Sequence, residues 1–278
     1  MTRNIKWTEE RISEFELEGR GKGAGPEYKP WIQINDFSSR GFSRRIFSRK
    51  TNRVHHLLSE VEYQLFLLLE FSPSVVDIRE QYPLNREQTL SLATQHGIRH
   101  PTYRGTYTPA VMTCDFLVIL EKNGQRLAHA FNCKRAEGVQ EARNIEKLEL
   151  ERIYFKQRDV PHHLVFDIDL PKQKIRNLIW CRGASICSED GYDPSLAFDE
   201  YRQHLINDLS REPTGCLAEF CARYDRLLGA ETGTGLSVVR AMLWRHELET
   251  DLSMPDLAAQ PIQMFRPASG CNQQPMRG

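Results

Sequence analysis

The Asn123-Gly124 turn is the sequence feature that most constrains how this chain can fold. Asn-Gly is the strongest short-range signal for a two-residue β-hairpin, because both loop positions of that turn need positive φ angles. Apolar and β-branched residues flank the turn, in Thr113–Leu120 on one side and in Arg126–Lys134 on the other. The sequence therefore predicts an antiparallel hairpin near the middle of the chain.

The same turn fixes which residues face each other across the hairpin. If Asn123 and Gly124 are the only loop residues, the register pairs Asp115 with Asn132. Directly opposed Cβ atoms lie about 4.5–5.5 Å apart, and residues two positions apart share a face of the sheet. Lys134 should therefore lie on the same face as Asp115 and Asn132. An acid, an amide and an ammonium group are expected to converge there.

Helical and strand patterns around the hairpin predict an α/β domain over residues 1–170, including a basic N-terminal arm. Ser59 is a suitable N-cap for a helix that ends near Phe71, with apolar residues at helical spacing. The segment 83–111 is expected to be irregular, with room for a short helix. The other predicted elements are Ser74–Arg79 and the two hairpin strands, followed by the helix Gln140–Arg158 and the strand His163–Asp169. This αβββαβ order predicts a mixed sheet.

The remaining residues, 171–278, predict a mainly α C-terminal domain. Amphipathic helical patterns cover Phe198–Leu209, Cys216–Leu228 and Leu236–Glu247, and Leu248–Leu252 could form a short wing strand. Three helices and a strand suit a winged-helix-like module, which could bind either DNA or another protein. The tail after Gln260, rich in Pro and Gly, is expected to be mobile.

Composition excludes several classes of protein. The chain has 37 basic and 37 acidic residues, so its net charge indicates no polyanionic partner. Seven cysteines without a CxxC pair argue against a zinc ribbon or a disulfide framework and favour reduced, cytoplasmic thiols. No apolar run approaches the roughly 18 residues of a membrane span, and the N-terminus lacks the apolar core of a signal peptide. We expect a cytoplasmic protein without a membrane partner.

Positive charge is nevertheless concentrated in one segment. Residues 39–53 contain six cations and no acid, with Phe42 and Phe47 interleaved among them. Such like charges repel one another unless a polyanion or a counter-surface neutralises them. The segment is expected either to bind DNA phosphates or to form a solvated loop. The six cations are Arg40, Arg44, Arg45, Arg49, Lys50 and Arg53.

The predicted hairpin patch has the chemistry of a phosphodiesterase. A carboxylate and an amide oxygen, from Asp115 and Asn132, are hard ligands that suit Mg²⁺ or Mn²⁺. Such a metal would stabilise charge on a scissile phosphate, and Lys134 could hold or polarise the attacking water. Glu62, near the start of the preceding helix, is the candidate for a further acidic ligand. Together these residues resemble the short catalytic signature of restriction-endonuclease-like folds.

Each of these residues also has a purely structural explanation. Glu62 lies three residues after Ser59, which is the spacing of a helix capping box. Asp115 and Lys134 could form a cross-strand ion pair at the surface, worth less than about 1 kcal/mol. Asn132 is a poor strand former in mid-strand, which favours a functional role. The sequence alone leaves these alternatives open.

Longer segments of the N-terminal part resemble a known family. They are EGRGKGAGPEYKPW (18–31), RIFSRKTNRVHHLLSEVE (45–62), VVDIREQYPL (75–84), GIRHPTYRG (97–105), CDFLV (114–118) and EKLELERIYF (146–155). They are similar to TnsA, the endonuclease subunit of heteromeric cut-and-paste transposases in bacteria. Beyond about residue 190 the resemblance rests only on length and helical pattern.

The resemblance implies a restriction-endonuclease-like N-terminal domain that cleaves the 5′ ends of a DNA transposon, with two Mg²⁺ ions that Mn²⁺ could replace. By motif position, Glu62 and Asp115 are metal ligands and Lys134 is the catalytic lysine. Asn132 stands where the family is expected to have Gln, as a ligand that is one methylene shorter. The implied partners are transposon-end DNA, a TnsB-type transposase, and a TnsC-type ATPase regulator that engages the C-terminal region.

Two other functions remain compatible with the sequence. The shorter Asn132 could weaken or abolish catalysis, leaving a nuclease-fold adaptor that bridges the transposase and the ATPase regulator. A standalone restriction-type nuclease is the third possibility, and activity on naked DNA without partners would favour it.

Overall fold

The protein divides into two compact units, Met1–Leu170 and Pro171–Gly278, in the computed structural model. The structure describes residues 7–36, 42–137, 142–186, 195–209, 211 and 214–268. No helix within these ranges is long and apolar enough to cross a membrane.

The N-terminal unit is a mixed α/β domain that contains the predicted αβββαβ elements. A hairpin and two additional helices accompany them. Its elements are α1 (Glu9–Leu17), β1 (Arg44–Ser48), β2 (Arg53–Leu57), α2 (Glu60–Phe71), β3 (Val75–Pro83), α3 (Arg86–Gln95), β4 (Thr113–Lys122), β5 (Gln125–Lys134), α4 (Ala142–Lys156) and β6 (His162–Phe166).

The central sheet has four strands in the order β3-β4-β5-β6. Strands β3, β4 and β5 are antiparallel, whereas β6 lies parallel to β5 and is reached through α4, as a parallel crossover requires. Lys122 pairs with Gln125, and Asn123 and Gly124 have φ angles of 53° and 75°. The predicted mixed sheet, hairpin and register are therefore confirmed, and the two positive φ angles are those of a type I′ turn.

Helices cover the sheet and enclose its core. Leu117 of β4 and Ala130 of β5 pack with apolar residues of α3 and α4 in one buried cluster. Phe116 and Val118 alternate with Leu117 along β4, so they point to the opposite face, where α2 packs. Apolar side chains are therefore buried on both faces of the sheet.

The basic segment folds into the hairpin β1–β2 instead of remaining a solvated loop. Arg53 is buried, and its guanidinium donates to both carboxylate oxygens of Glu80, at 2.8 and 2.5 Å. His55 contacts the same carboxylate through Nδ1 at 2.8 Å. The two terminal nitrogens of Arg53 are therefore engaged inside the protein, and its role as a phosphate ligand stays a prediction with which this pairing would compete.

Lys50 is also engaged within the fold. Its ammonium donates to the carbonyl oxygens of Ser72 and Val75, just after the C-terminus of α2, and the Val75 bond is 2.7 Å long. Burial lowers the pKa of Lys50 to about 8. These bonds cap carbonyl groups after the end of α2, and a role of Lys50 in binding DNA phosphates stays a prediction. Arg44, Arg45 and Arg49 are exposed, and Arg40 lies outside the described residues.

The C-terminal unit is mainly helical, as predicted, but contains a further helix, α5. Its elements are α5 (Lys172–Ile186), α6 (Ser195–Leu209), α7 (Leu217–Leu227), α8 (Thr234–Trp244), β7 (Leu248–Glu249) and β8 (Arg266–Pro267). The expected wing strand is reduced to the two residues of β7, which pair with β8. The expectation of a mobile tail is wrong for 261–268, because Ile262 and Phe265 are buried there. Residues 269–278 of that tail lie outside the described ranges.

The buried pair of Arg53 and Glu80 gives a prediction about stability. Burial alone would raise the pKa of Glu80, but His55 and Arg53 hold it well below its usual range. Glu80→Gln would leave the Arg53 charge buried without its carboxylate, and we expect a loss of about 3–5 kcal/mol in the free energy of unfolding. Urea denaturation of the full chain measures this change.

Glu121→Gln is the matched control, since Glu121 forms an exposed pair with Arg126 at 3.3 Å. That variant should stay within about 0.5 kcal/mol of the natural protein. A loss below about 1 kcal/mol for Glu80→Gln would show that the buried pair does not anchor the hairpin β1–β2.

Candidate active site

The candidate site lies at one end of the sheet, where β4 begins and β5 ends. Asp115 bridges the two strands, because its Oδ2 accepts a hydrogen bond of 2.7 Å from the backbone N–H of Cys133. Lys134 is the next residue, and its charge lowers the pKa of Asp115. Burial acts in the opposite direction and dominates, so the pKa of Asp115 is raised overall. The charge of Lys134 thus acts on Asp115, and a catalytic pairing of the two residues stays a prediction.

Glu62 approaches the same end of the sheet from the first turn of α2. Its oxygens accept hydrogen bonds of 2.9 Å from the Leu58 N–H and from the Ser59 hydroxyl. The Glu62 N–H in turn donates to the Ser59 Oγ at 3.1 Å, so the capping interaction exists. These bonds fix the position of the carboxylate without exhausting its acceptor capacity, which is about four lone pairs.

Capping alone does not explain the electrostatics of Glu62. Burial, followed by the negative charge of Asp115, raises the pKa of Glu62 to about 8, although the capping bonds and Lys134 lower it. Only 5% of the Glu62 side chain surface is exposed. A cap at an ordinary helix end lies in water, whereas this carboxylate is buried beside another acid. The arrangement favours a ligand role in addition to the capping role.

Asn132 lies close to the site, but its amide is turned to other partners. Its Oδ1 lies 2.7 Å from the Nε2 of His162 in β6, and the residue is buried. An amide oxygen can only accept, so His162 must carry its proton on Nε2. Burial lowers the pKa of His162 to about 4, so the ring is neutral at pH 7. A metal-ligand role of Asn132 stays a prediction, and this bond would compete with it.

Glu151 of α4 is a further acidic residue at the site, and it is not among the residues predicted from the sequence. It is buried, and burial together with the Asp115 charge raises its pKa to about 8. Its side chain hydrogen-bonds Asn132, yet its Oε2 has no hydrogen-bond partner within the described part of the chain. The available signal was helical phase: Glu151 lies three and four residues before the buried Tyr154 and Phe155. An acid on that apolar face is unusual.

Gln81 of β3 supports Asp115 from the other side. Its φ angle is 46°, although it is neither glycine nor exposed. A buried residue in this conformation is uncommon and stores backbone strain, which is typical of functional positions. Gln81 Nε2 lies 3.5 Å from Asp115 Oδ1, and Gln81 Oε1 accepts from the Thr113 hydroxyl at 3.2 Å. The kink thus places an amide beside the carboxylate, and no sequence signal indicated it.

The donor set fits a divalent cation that retains water or phosphate ligands. Across the ranges that the structure describes, no three Asp, Glu, His or Cys side chains form a complete metal cage. Mg²⁺ does not need one, because it is commonly held by one or two carboxylates plus phosphate oxygens and waters. Glu62 and Asp115 supply two carboxylates with raised pKa values, and the unpartnered Glu151 oxygen lies nearby. A cation between such acids would remove the repulsion that raises these pKa values.

Comparison with known proteins shows the family of this chain. The family model for the TnsA-like endonuclease N-terminal domain matches residues 72–167, and the model for the TnsA endonuclease C-terminal domain matches residues 169–252. The Escherichia coli transposon Tn7 transposition protein TnsA is 37% identical over 239 residues, which cover 86% of this chain and 85% of that protein. Similarity of this extent spans both structural units, and the chain belongs to the TnsA endonuclease family.

Proposed function

We propose that this protein is the Mg²⁺-dependent endonuclease subunit of a transposase, which cleaves phosphodiester bonds at the 5′ ends of a DNA transposon. The observation that carries the proposal is the buried pair Glu62 and Asp115 beside Lys134 in a chain of the TnsA family. Buried acids with raised pKa values beside a lysine are costly for stability, so they indicate a site built for a charged ligand.

The residues take distinct roles in this proposal. Glu62 and Asp115 would hold the metal, and Glu151 or Asn132 would orient its remaining ligands. Bound Mg²⁺ supplies Lewis-acid stabilisation of phosphate charge and a more acidic water. Lys134 lies next to the Cys133 N–H that fixes Asp115, so its ammonium can neutralise phosphate charge or hold the attacking water. A second Mg²⁺ ion is part of the same proposal.

The finer fold and partner assignments belong to the same proposal. The order α2-β3-β4-β5-α4-β6, with acids from α2 and β4 and the lysine from β5, supports a restriction-endonuclease-like domain. The exposed Arg44, Arg45 and Arg49 could contact DNA phosphates. The helices α6–α8 with β7 and β8 would form the winged-helix-like module. A TnsB-type transposase and a TnsC-type ATPase regulator would be the protein partners.

A non-catalytic adaptor is the second candidate, and one observation favours it. The Asn132 oxygen is bonded to His162, and its amide contacts Glu151, so no ligand oxygen of Asn132 is free of competition. If the metal needs that oxygen, the site is inactive and the fold would only bridge its partners.

The first functional prediction concerns Asp115. Asp115→Ala should abolish 5′-end cleavage in a reaction reconstituted with the partner transposase, because it removes a carboxylate ligand and the bridge to β5. The size of the loss is measured as nicks per transposon end on a sequencing gel. Binding of the variant to the transposase should be unchanged, which excludes misfolding as the cause.

Two further variants sharpen this test. Asp115→Asn keeps the shape of the side chain and its acceptor for the Cys133 N–H, yet should also be inactive, because it removes the negative charge. Glu121→Gln, at the far end of the same hairpin, should cleave normally. Full cleavage by Asp115→Asn would exclude the metal-binding role, and absence of cleavage by the natural complex with Mg²⁺ would favour the adaptor.

The second functional prediction concerns pH and metal binding. The pKa values of Glu62 and Glu151 are raised to about 8, so the metal-free protein should lose stability as the pH rises from about 4.5 to 8. Mg²⁺ binds the ionised carboxylates, so the increase in Tm on adding 10 mM Mg²⁺ should be small at pH 6 and larger at pH 8.5. At a hundredfold excess over Kd it should be roughly 5–10 °C.

Differential scanning fluorimetry of the full chain at both pH values provides the measurement. Asp115→Asn should lose most of the Mg²⁺-dependent shift, whereas Glu146→Gln, an exposed acid on α4 paired with Arg143, should retain it. An equal shift in both variants would place the metal elsewhere in the protein.

A further inference from the structure

The segment that leads into β4 is cationic and contains no acid. Between Glu87 and Asp115 the sequence has no Asp or Glu, but it includes Arg99 and Arg104. The chain as a whole has no net charge, so this stretch without an acid carries a local excess of positive charge. It ends directly at the strand that carries Asp115.

Part of this segment, residues 102–109, forms a tight loop that we name the tip loop. Its ends are joined by a bridge between Thr102 and Pro109, and the Tyr103 N–H donates to the Thr108 carbonyl at 3.0 Å. Gly105 has a φ angle of 75°, a conformation that disfavours side chains and closes the turn. The backbone is therefore ordered by its own hydrogen bonds.

The base of the tip loop is also anchored to the domain. The ring of Tyr103 stacks on Trp7, with centroids 4.0 Å apart and planes inclined by 1°. The Tyr103 hydroxyl accepts a hydrogen bond of 3.1 Å from the Val111 N–H. These contacts fix the loop on both sides of its base, so its outermost residues are held in one orientation.

The anchored loop exposes one cationic and one aromatic side chain to solvent. The Tyr107 side chain is 100% exposed, and Arg104 is also exposed. Neither side chain has a hydrogen-bond or ion-pair partner among residues within the described ranges. Both side chains are therefore available to contact another molecule.

The chemistry and position of the tip loop favour DNA as that molecule. Arg and Tyr side chains commonly hydrogen-bond to phosphate oxygens, and residues 88–114 themselves contain no acid that would repel a phosphate. Tyr107 is eight residues before Asp115, so their Cα atoms are at most about 29 Å apart. That span is less than one helical turn of duplex DNA, about 34 Å. A duplex with a phosphate at Asp115 can therefore also reach the loop.

We propose that the tip loop is a DNA-positioning element, in which Arg104 and Tyr107 bind backbone phosphates of the same duplex whose scissile bond lies at Asp115. This inference rests on the proposed endonuclease function. The loop orders the duplex relative to the carboxylates and takes no part in bond cleavage. Its rigidity reduces the entropy lost on binding, since the contacting groups are already in place.

The test compares Arg104→Ala, Tyr107→Ala and the double variant with Lys122→Ala. Lys122 is an exposed cation at the opposite end of β4, so that control loses the same charge. Fluorescence anisotropy of a labelled 40-base-pair transposon-end duplex is measured in EDTA over a range of KCl concentrations. Nicking of the same duplex is measured with Mg²⁺ and the partner transposase.

We expect Arg104→Ala to weaken binding about three- to tenfold and to reduce the slope of log K against log salt by about 1. The double variant should need a higher DNA concentration for half-maximal nicking, with little change in the rate at saturation. Its Tm and the behaviour of Lys122→Ala should match the natural protein. A salt slope that is unchanged in both Arg104 variants would overturn the proposal.

Three other outcomes separate this inference from alternatives. Loss of binding to the transposase in the absence of DNA would assign the tip loop to a protein interface instead and overturn the proposal. If the natural complex fails to nick DNA although the tip-loop variants bind it more weakly, the loop assignment stands and the endonuclease proposal fails. If nicking is normal and the variants bind like the natural protein, only the loop assignment fails.

Discussion

The burial of carboxylates at one end of the sheet is the constraint on which the site depends. Glu62, Asp115 and Glu151 come from three different elements, and burial raises the pKa of each, while the charge of Asp115 raises the pKa values of Glu62 and Glu151 further. Lys134 attracts all three acids, but one ammonium cannot neutralise three carboxylates. The fold holds them in place through capping bonds, the Cys133 N–H and the kinked Gln81. Such an arrangement stores free energy that a bound cation would release.

Other buried acids of the same protein have matching partners, so the excess of negative charge is specific to this site. Glu80 is matched by Arg53 and His55, and Asp36 is matched by Arg20 at 2.5 Å. Asp225 in the C-terminal unit is satisfied by two backbone N–H groups and a tyrosine hydroxyl. The fold therefore compensates structural acids closely. The acids at the start of β4 are not compensated in this way. This difference separates a ligand-binding site from a structural ion pair more clearly than any single pKa value.

Local sequence rules predicted the hairpin and its register, because the Asn123-Gly124 turn depends only on two residues. They did not reveal how the cations are used. Arg53 and Lys50 resemble the exposed Arg44 in sequence, and only tertiary contacts with Glu80 and with the carbonyls of Ser72 and Val75 distinguish them. Glu151 was missed for a related reason. The value of an acid on a helix depends on which face is buried, and that face is set by contacts with β4 and β5.

The position of Asp115 also links the chemistry of the site to the geometry of the whole sheet. Because side chains alternate along a strand, a slip of one residue between β4 and β5 would move Asp115 to the opposite face. The register that prevents this slip is set at the far end of the hairpin, by the turn at Asn123 and Gly124. The near end is set by β3, through Tyr82 and Cys114, and by the anchored segment before Thr113. The carboxylate is thus aligned from both ends of β4, and small displacements of a catalytic group reduce the rate of a reaction strongly.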